Sequence, residues 1–432
     1  MKKISALILI LALLISTAGV LALSKTKLTY VSILPSPERK AIMTDILSKF
    51  EEQNPDIDVE FRGVPWDQAH QKLLTTISAG NPPDIQVAAE VWVPELGAMN
   101  GLIDLEPYFE DWEFSDEYLE ITKEGMKIYA DKALNIPYGY YVRTLFYRKD
   151  IFEEQGLEVP ETFDEFLEVA KKLTDKEEGV YGMSLRGARG AFYPIPVWGF
   201  GALGTNQFFD DDGNWNLAKP EAIEGVEFYA DLYREHGVAP EGAINWGFNE
   251  LISNFNAGVT RMYINDQPTL NTVLDRLGPD KVGTAKVPKG PSGKRYTTLG
   301  WMGWVLPKQK NESEEHLQAR LKLLKFLATP ENVLEWNGRN LLIPTIKDAL
   351  EKQPDLWGDK TKWLEPTWSM VQDGEIYITA QPYPEMGKFM EQISWQDWQK
   401  ILAGKATVEE TLKEWAQFHE DAYENYLERV GE

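Results

Sequence analysis

GFGALG, Gly199 to Gly204, has the G-x-G-x-x-G spacing that lets backbone approach a dinucleotide pyrophosphate. That chemistry needs a strand before the glycines and a helix opening within them, so that phosphate meets a helix N-terminus. AFYPIPVW precedes the motif, and its two prolines argue against a central strand. TNQFFDDDGNWN follows, a turn and hairpin whose three acids would oppose a pyrophosphate. The match reads as coincidence, and no cofactor is expected. GMSLRG (Gly182 to Gly187) has one residue too many after Ser184 for a nucleophile elbow. GPSGKR lacks the Ser or Thr of a phosphate loop, and DDDG lacks the ligands and closing Glu of a calcium loop. His70, His236, His316 and His419 lie far apart with no zinc-helix spacing, so no metal site is expected. Two carboxylates are enough for glycoside hydrolysis, and 68 acids leave a hydrolase as the alternative reading without any specific sign of one.

Aromatic residues carry the stronger signal. The chain has 15 Trp, 18 Tyr and 18 Phe, many beside Gly or Pro, as in VPWD, EVWVP, PYGYY, PVWGF, INWGF, LGWMGW and AQPYP. A sugar ring has one face of C–H bonds and a rim of hydroxyls, which suits a stacked indole or phenol with polar groups at its edge. Packing in the core is expected to claim about half of these rings.

These residues need a frame. A chain of 432 residues suits two well-filled lobes, and 43% apolar content supports real cores. The net charge of −24 disfavours nucleic acid and anionic lipid as partners. Lys2 and Lys3, the apolar ILILALL (Ile8 to Leu14) and the small residues of VLALS predict a signal peptide over residues 1–22. With no cysteine, neither a disulfide framework nor a lipid-bearing cysteine is available, so release to the periplasm or exterior without an anchor is expected. LTYVSIL reads as a strand, and Ser36-Pro37 opens a helix whose Ile42, Ile46, Leu47 and Phe50 share one face. NPDIDVEFRGV, a helix from about Trp66 to Ala79 ended by Gly80, and NPPDIQVAAEVW follow, giving an α/β lobe with a largely parallel sheet. FDEFLEVAKKL and AIEGVEFYADLYREHG are amphipathic helices, and TRMYIND is a strand. No linker separates the lobes, which implies that the chain crosses between them more than once.

The order of segments resembles the family 1 extracellular solute-binding proteins, the receptor subunits of ATP-binding-cassette sugar importers and relatives of maltose-binding protein. The similarity runs through FEEQNPDIDVEF, ISAGNPPDIQVA, LIDLEPYF, IPYGYYVRTLFYRKDIFEEQGLEVPETFDEF, FFDDDGNW, FNAGVTRMYIND, VPKGPSGK, LGWMGWVLPK, LLIPTIKDAL and ILAGKATVEETL, in that order. It implies two α/β lobes, each a mainly parallel sheet flanked by helices, closing by hinge motion over a cleft. One lobe would comprise 25–140 plus about 298–335, the other 141–297 plus about 336–432. The implied activity is non-catalytic capture of a carbohydrate, an oligosaccharide first and an acidic sugar second, by a monomer that delivers it to permease subunits. A receptor for peptides or polyamines is a weaker reading.

The same resemblance suggests ligand-facing positions: Glu90 and Trp92 after the PPD strand, Tyr141 and Arg143 on the crossing segment, and Tyr193 and Trp198 in the loop before GFGALG. Trp246, Asp266, Trp301, Trp304 and Arg339 complete the set. Where many relatives carry Gly and an aromatic, this chain has Asp266, Gln267 and Pro268, which puts one stacking platform in doubt. Arg186 and Arg189 are expected to brace carboxylates between loops, although a guanidinium fork also suits a ligand carboxylate.

Overall fold

The structure is a computed structural model and describes residues 25–431 apart from 34–35, 111, 348 and 350–354. The expected signal peptide, residues 1–22, lies outside the described residues. Among the described residues ten strands form: β1 (Thr26–Ser32), β2 (Ile57–Gly63), β3 (Ile85–Ala89), β4 (Ile136–Arg148), β5 (Tyr181–Met183), β6 (Thr260–Asp266), β7 (Val282–Ala285), β8 (Thr297–Val305), β9 (Ile343–Pro344) and β10 (Ile376–Ile378). They hydrogen-bond in the order β2-β1-β3-β8-β4-β6-β5, with β10 on β8 and both β7 and β9 on β4.

The first half of this order follows from the sequence. Ser36 caps the helix Pro37–Gln53 by accepting from the Arg39 N–H, and Ile42, Ile46, Leu47 and Phe50 are buried beneath it as their spacing requires. Helix Trp66–Ala79 ends on Gly80 in the left-handed conformation. These two helices connect β1, β2 and β3, and the resulting pairs β1–β2 and β1–β3 are parallel.

β4 joins the two halves. Its 13 residues extend about 40 Å at the usual rise, enough to serve both lobes. Residues 136–142 pair with β8 beside β3, whereas residues 143–148 pair with β6 and β7. The α/β, two-lobed expectation is met with one correction: the sheets are mixed rather than mainly parallel. β4 carries the chain out of the first lobe and β8 brings it back, so the two must run in opposite senses, and β8 is also antiparallel to β3. In the second lobe β5–β6 is parallel while β4 opposes both β6 and β7.

Helix Phe163–Lys172 is held by a capping box between Thr162 and Glu165 and buries Phe163, Phe166 and Val169. Helix Pro330–Asn340 runs unbroken through the expected lobe boundary near 335 and packs on Pro37–Gln53. GFGALG lies in helix Ile195–Leu203 and its left-handed cap at Gly204. A methyl on Gly199 would meet Leu217 at 2.6 Å, so this glycine permits close packing within a core. None of the motif's residues lines the cleft described below. Among the described residues no helix is long and apolar enough to cross a membrane.

Candidate functional site

β4 and β8 form the floor of a cavity between the lobes. At Tyr138 the register of this pair shifts between Pro137 and Gly139, a bulge that resets the alternation of β4. Gly139, Tyr141 and Arg143 then share one face with their cross-strand neighbours Met302 and Gly300. Gly300 has a reason to be glycine: a Cβ there would lie 2.3 Å from the Tyr141 ring, which passes directly over it. The space between its walls is about 900 Å³ when the open mouth is counted.

Its walls come from both lobes. Trp66, Tyr138 and Trp336 contribute from the first, and Tyr193 and Phe248 from the second, with Tyr141 on the shared strand. Helix ends place two of the polar groups, Arg39 and Asn340. Arg39 lies in the first turn of Pro37–Gln53 and donates to the Asn340 side chain at 3.2 Å. Asp266, at the end of β6, sits opposite Arg143 in register, and the Asp266 carboxylate is 3.0 Å from Nη2 of Arg143.

Arg143 is the electrostatic centre. It is only 2% exposed, and its guanidinium lies 4.2 Å over the ring of Tyr193 and 5.9 Å from that of Tyr141. Burial works against its charge, but Asp266 and the surrounding phenols hold its pKa above the ordinary value. Arg186 lines the cavity nearby, donating from Nε to the backbone carbonyl of Arg189 at 2.8 Å. Gly190 (φ 83°) curls against that guanidinium so tightly that a Cβ would lie 2.1 Å from Nη2. Burial, and next the neighbouring Arg143, push Arg186 down to about 10.

The expected site residues separate into distinct groups. Tyr141, Arg143, Tyr193 and Asp266 line the cavity together. Glu90 and Trp92 stand one layer behind. Tyr141 donates its hydroxyl to Glu90 at 2.6 Å, and burial pushes that carboxyl up to about 7 despite this bond. Trp92 backs the cavity residue Trp66 at 5.0 Å between ring centroids and donates Nε1 to Glu391 at 3.3 Å. Glu391 also pairs with Arg189 at 2.9 Å, which ties the Arg186–Arg189 loop to the wall behind Trp66. Trp246 is half-buried and does not line the cavity; two residues on, Phe248 does.

Four more of the expected residues also lie off the cavity lining. Trp198 belongs to a helix rather than a loop and is fully buried against Phe163 and Tyr229. Trp301 points to the opposite face of β8 from Met302, under Gly125, and donates to Asn135 at 3.2 Å. Trp304 is buried behind Tyr138, at 4.8 Å between rings, and donates to the Tyr30 hydroxyl. Arg339 is 46% exposed and turns outward to Asp45 and Glu335, because its position on helix Pro330–Asn340 faces solvent while Asn340 faces the cavity.

Trp66, Trp336, Phe248 and Arg39 were not among the expected ligand-facing positions. VPWD does mark Trp66 as an aromatic beside proline, whereas nothing local distinguishes Trp336 from a core residue of its helix. Gln267, from the segment that departs from the common pattern, takes a structural part. Its side-chain oxygen accepts from the Val142 N–H at 2.5 Å and its amide donates to the Tyr140 carbonyl at 3.1 Å, fastening the crossing strand.

Comparison with known proteins agrees with this architecture. The profile of the bacterial extracellular solute-binding protein family matches residues 35–334. A putative binding protein of Brucella abortus is 28% identical over 309 residues, 70% of this chain and 72% of that protein. The mannitol-binding protein of Pseudomonas aeruginosa is 27% identical over 272 residues, 60% of each chain. Among solved structures, maltose-bound MalE3 of T. maritima superposes with a TM-score of 0.78 at 26% identity, covering 91% of this chain and 99% of that one. A mixed sheet shared by two lobes, a cavity walled from both, and a family profile covering most of the sequence agree: this chain belongs to the bacterial extracellular solute-binding proteins.

Proposed function

We propose that this protein captures a sugar or polyol between its lobes and delivers it to the permease of an ABC importer. The observation that carries the reading is the cavity wall: six aromatic rings drawn from both lobes, with the edge groups of Arg39, Arg143, Asp266 and Asn340 among them. Rings of this kind can cover the C–H faces of a sugar while the polar groups bond its hydroxyls. Mannitol and maltose, bound by the two relatives named for or solved with them, fall within that chemistry.

A hydrolase needs two carboxylates across the scissile bond. Among the described cavity-lining residues Asp266 is the one carboxylate, and Arg143 engages it. This favours binding without catalysis. Export through the leader at residues 1–22, a soluble form without lipid, and action as a monomer belong to the same reading. So does a first lobe of 25–140 plus about 298–335 and a second of 141–297 with the remaining chain, extended here by assigning all of helix 330–340 to the first.

The test is titration of the purified protein with a panel of mono- and disaccharides and polyols, followed by tryptophan fluorescence and thermal unfolding. A ligand at a hundredfold its Kd should add about 2.7 kcal/mol of stability. A panel that shifts neither signal refutes the reading, and new reducing ends released from oligosaccharides would favour the hydrolase.

A further inference from the structure

The chain carries a net charge of −24, yet its cavity gathers three arginines, Arg39, Arg143 and Arg186. Among the described residues only one carboxylate, Asp266, lines the cavity with them, and it engages Arg143. Even so, Nη1 of Arg143 is buried without a hydrogen-bond partner among the described residues, as is the hydroxyl of Tyr193 beneath it. Arg186 is 7% exposed and forms no ion pair among the described residues; its Nε bonds only a neutral backbone carbonyl. Leaving buried cationic donors unmatched is costly, and an arrangement that keeps them at the cavity wall is suited to an anion.

We propose that the ligand is an anionic sugar bearing a carboxylate, which Arg143 and Arg186 bind while the aromatic walls hold the ring. This rests on the reading of the cavity as a sugar site and adds the charge of its ligand. Guanidinium forks match a carboxylate in two parallel bonds, a geometry that a neutral hydroxyl does not exploit. The carboxylate would give Nη1 of Arg143 its missing acceptor and offset the mutual repulsion of Arg143 and Arg186. Burial first, and that repulsion second, depress Arg186.

The experiment compares the intact protein's affinity for D-glucuronate, D-galacturonate and digalacturonate with that for D-glucose, D-galactose and maltose, with glucose 1-phosphate as a further anion. The expected result is at least tenfold tighter binding of one uronate than of every neutral sugar. In Arg186→Gln that ratio should fall several-fold. If that variant unfolds, Arg143→Lys, which keeps the charge and loses the fork, should lower the uronate ratio instead. Neutral sugars binding as tightly as the uronates would overturn this proposal and leave the sugar-receptor reading standing. Tighter binding of glucose 1-phosphate than of any uronate would overturn the carboxylate assignment. No response to any of these sugars would overturn the proposal, and silence of the polyols as well would take the reading beneath it.

Discussion

Two aromatic regions of this protein look alike in composition and differ in what surrounds them. In the second lobe, Trp198, Tyr229 and Trp398 stack nearly parallel, with centroids 5.3 and 5.2 Å apart and interplanar angles of 12°. In the cleft, Tyr193 and Tyr141 flank the guanidinium of Arg143, and Trp66 leans on Trp92. The first group has rings filling space against rings, and it stabilises by excluded water and dispersion. The second surrounds desolvated charge that its own residues only partly satisfy. Aromatic richness is therefore common to core and site, and the placement of buried charge distinguishes them.

That distinction can be broken most directly at Trp198. Trp198→Ala should cost about 3–5 kcal/mol of stability through transfer loss and cavity formation. Denaturant unfolding would measure it. If the variant instead kept its stability and lost only ligand affinity, the assignment of this ring to the core would fail.

Glu90 should give the next effect, and it has a sign. Its folded pKa of about 7 lies above the ordinary value of 4.5, chiefly because of burial. Between these values the folded state binds more protons than the unfolded one, so stability falls as pH rises. The loss is absent below about pH 4.5 and complete above about pH 7, on the order of 3 kcal/mol. Glu90→Gln should thus raise the melting temperature by several degrees at pH 8 and leave it unchanged at pH 4. Equal shifts at both pH values would contradict the pKa assignment.

Trp66→Ala should weaken ligand binding by roughly 1–2 kcal/mol, as expected for a large aromatic ring at a binding surface. Calorimetry with the best ligand of the sugar panel would read this, and unaltered affinity would place recognition elsewhere. The smallest change is expected at Arg339, whose exposed pairs with Asp45 and Glu335 predict a stability effect within about 0.5 kcal/mol for Arg339→Ala. Affinity should not change either; a tenfold loss would restore this residue to the site.

Much of the framework was legible from short-range patterns. The buried face of Pro37–Gln53, the Gly80 cap, the Thr162 capping box and the strand TRMYIND depend on periodicity and capping within a few residues. Arg143 and Tyr141 could be paired because they stand two positions apart on one strand. Their partners could not be found that way. Asp266 reaches Arg143 through cross-strand register, and Trp336 reaches the same cavity from a helix nearly 200 residues beyond Tyr138.

The misplacement of Trp301 and Trp304 has the same origin. LGWMGW announces a buried strand beside glycines but leaves open which neighbours cover each face. Only the pairing of β8 with β3 and β4, together with the bulge at Tyr138, sends Met302 to the cavity and Trp301 beneath Gly125. Sequence alone determined the class of fold, the helices and strands, and the chemistry on offer, because these depend on local spacing and composition. Tertiary structure alone decided which rings and arginines meet, because register and alternation bring together residues whose separation along the chain carries no trace of that contact.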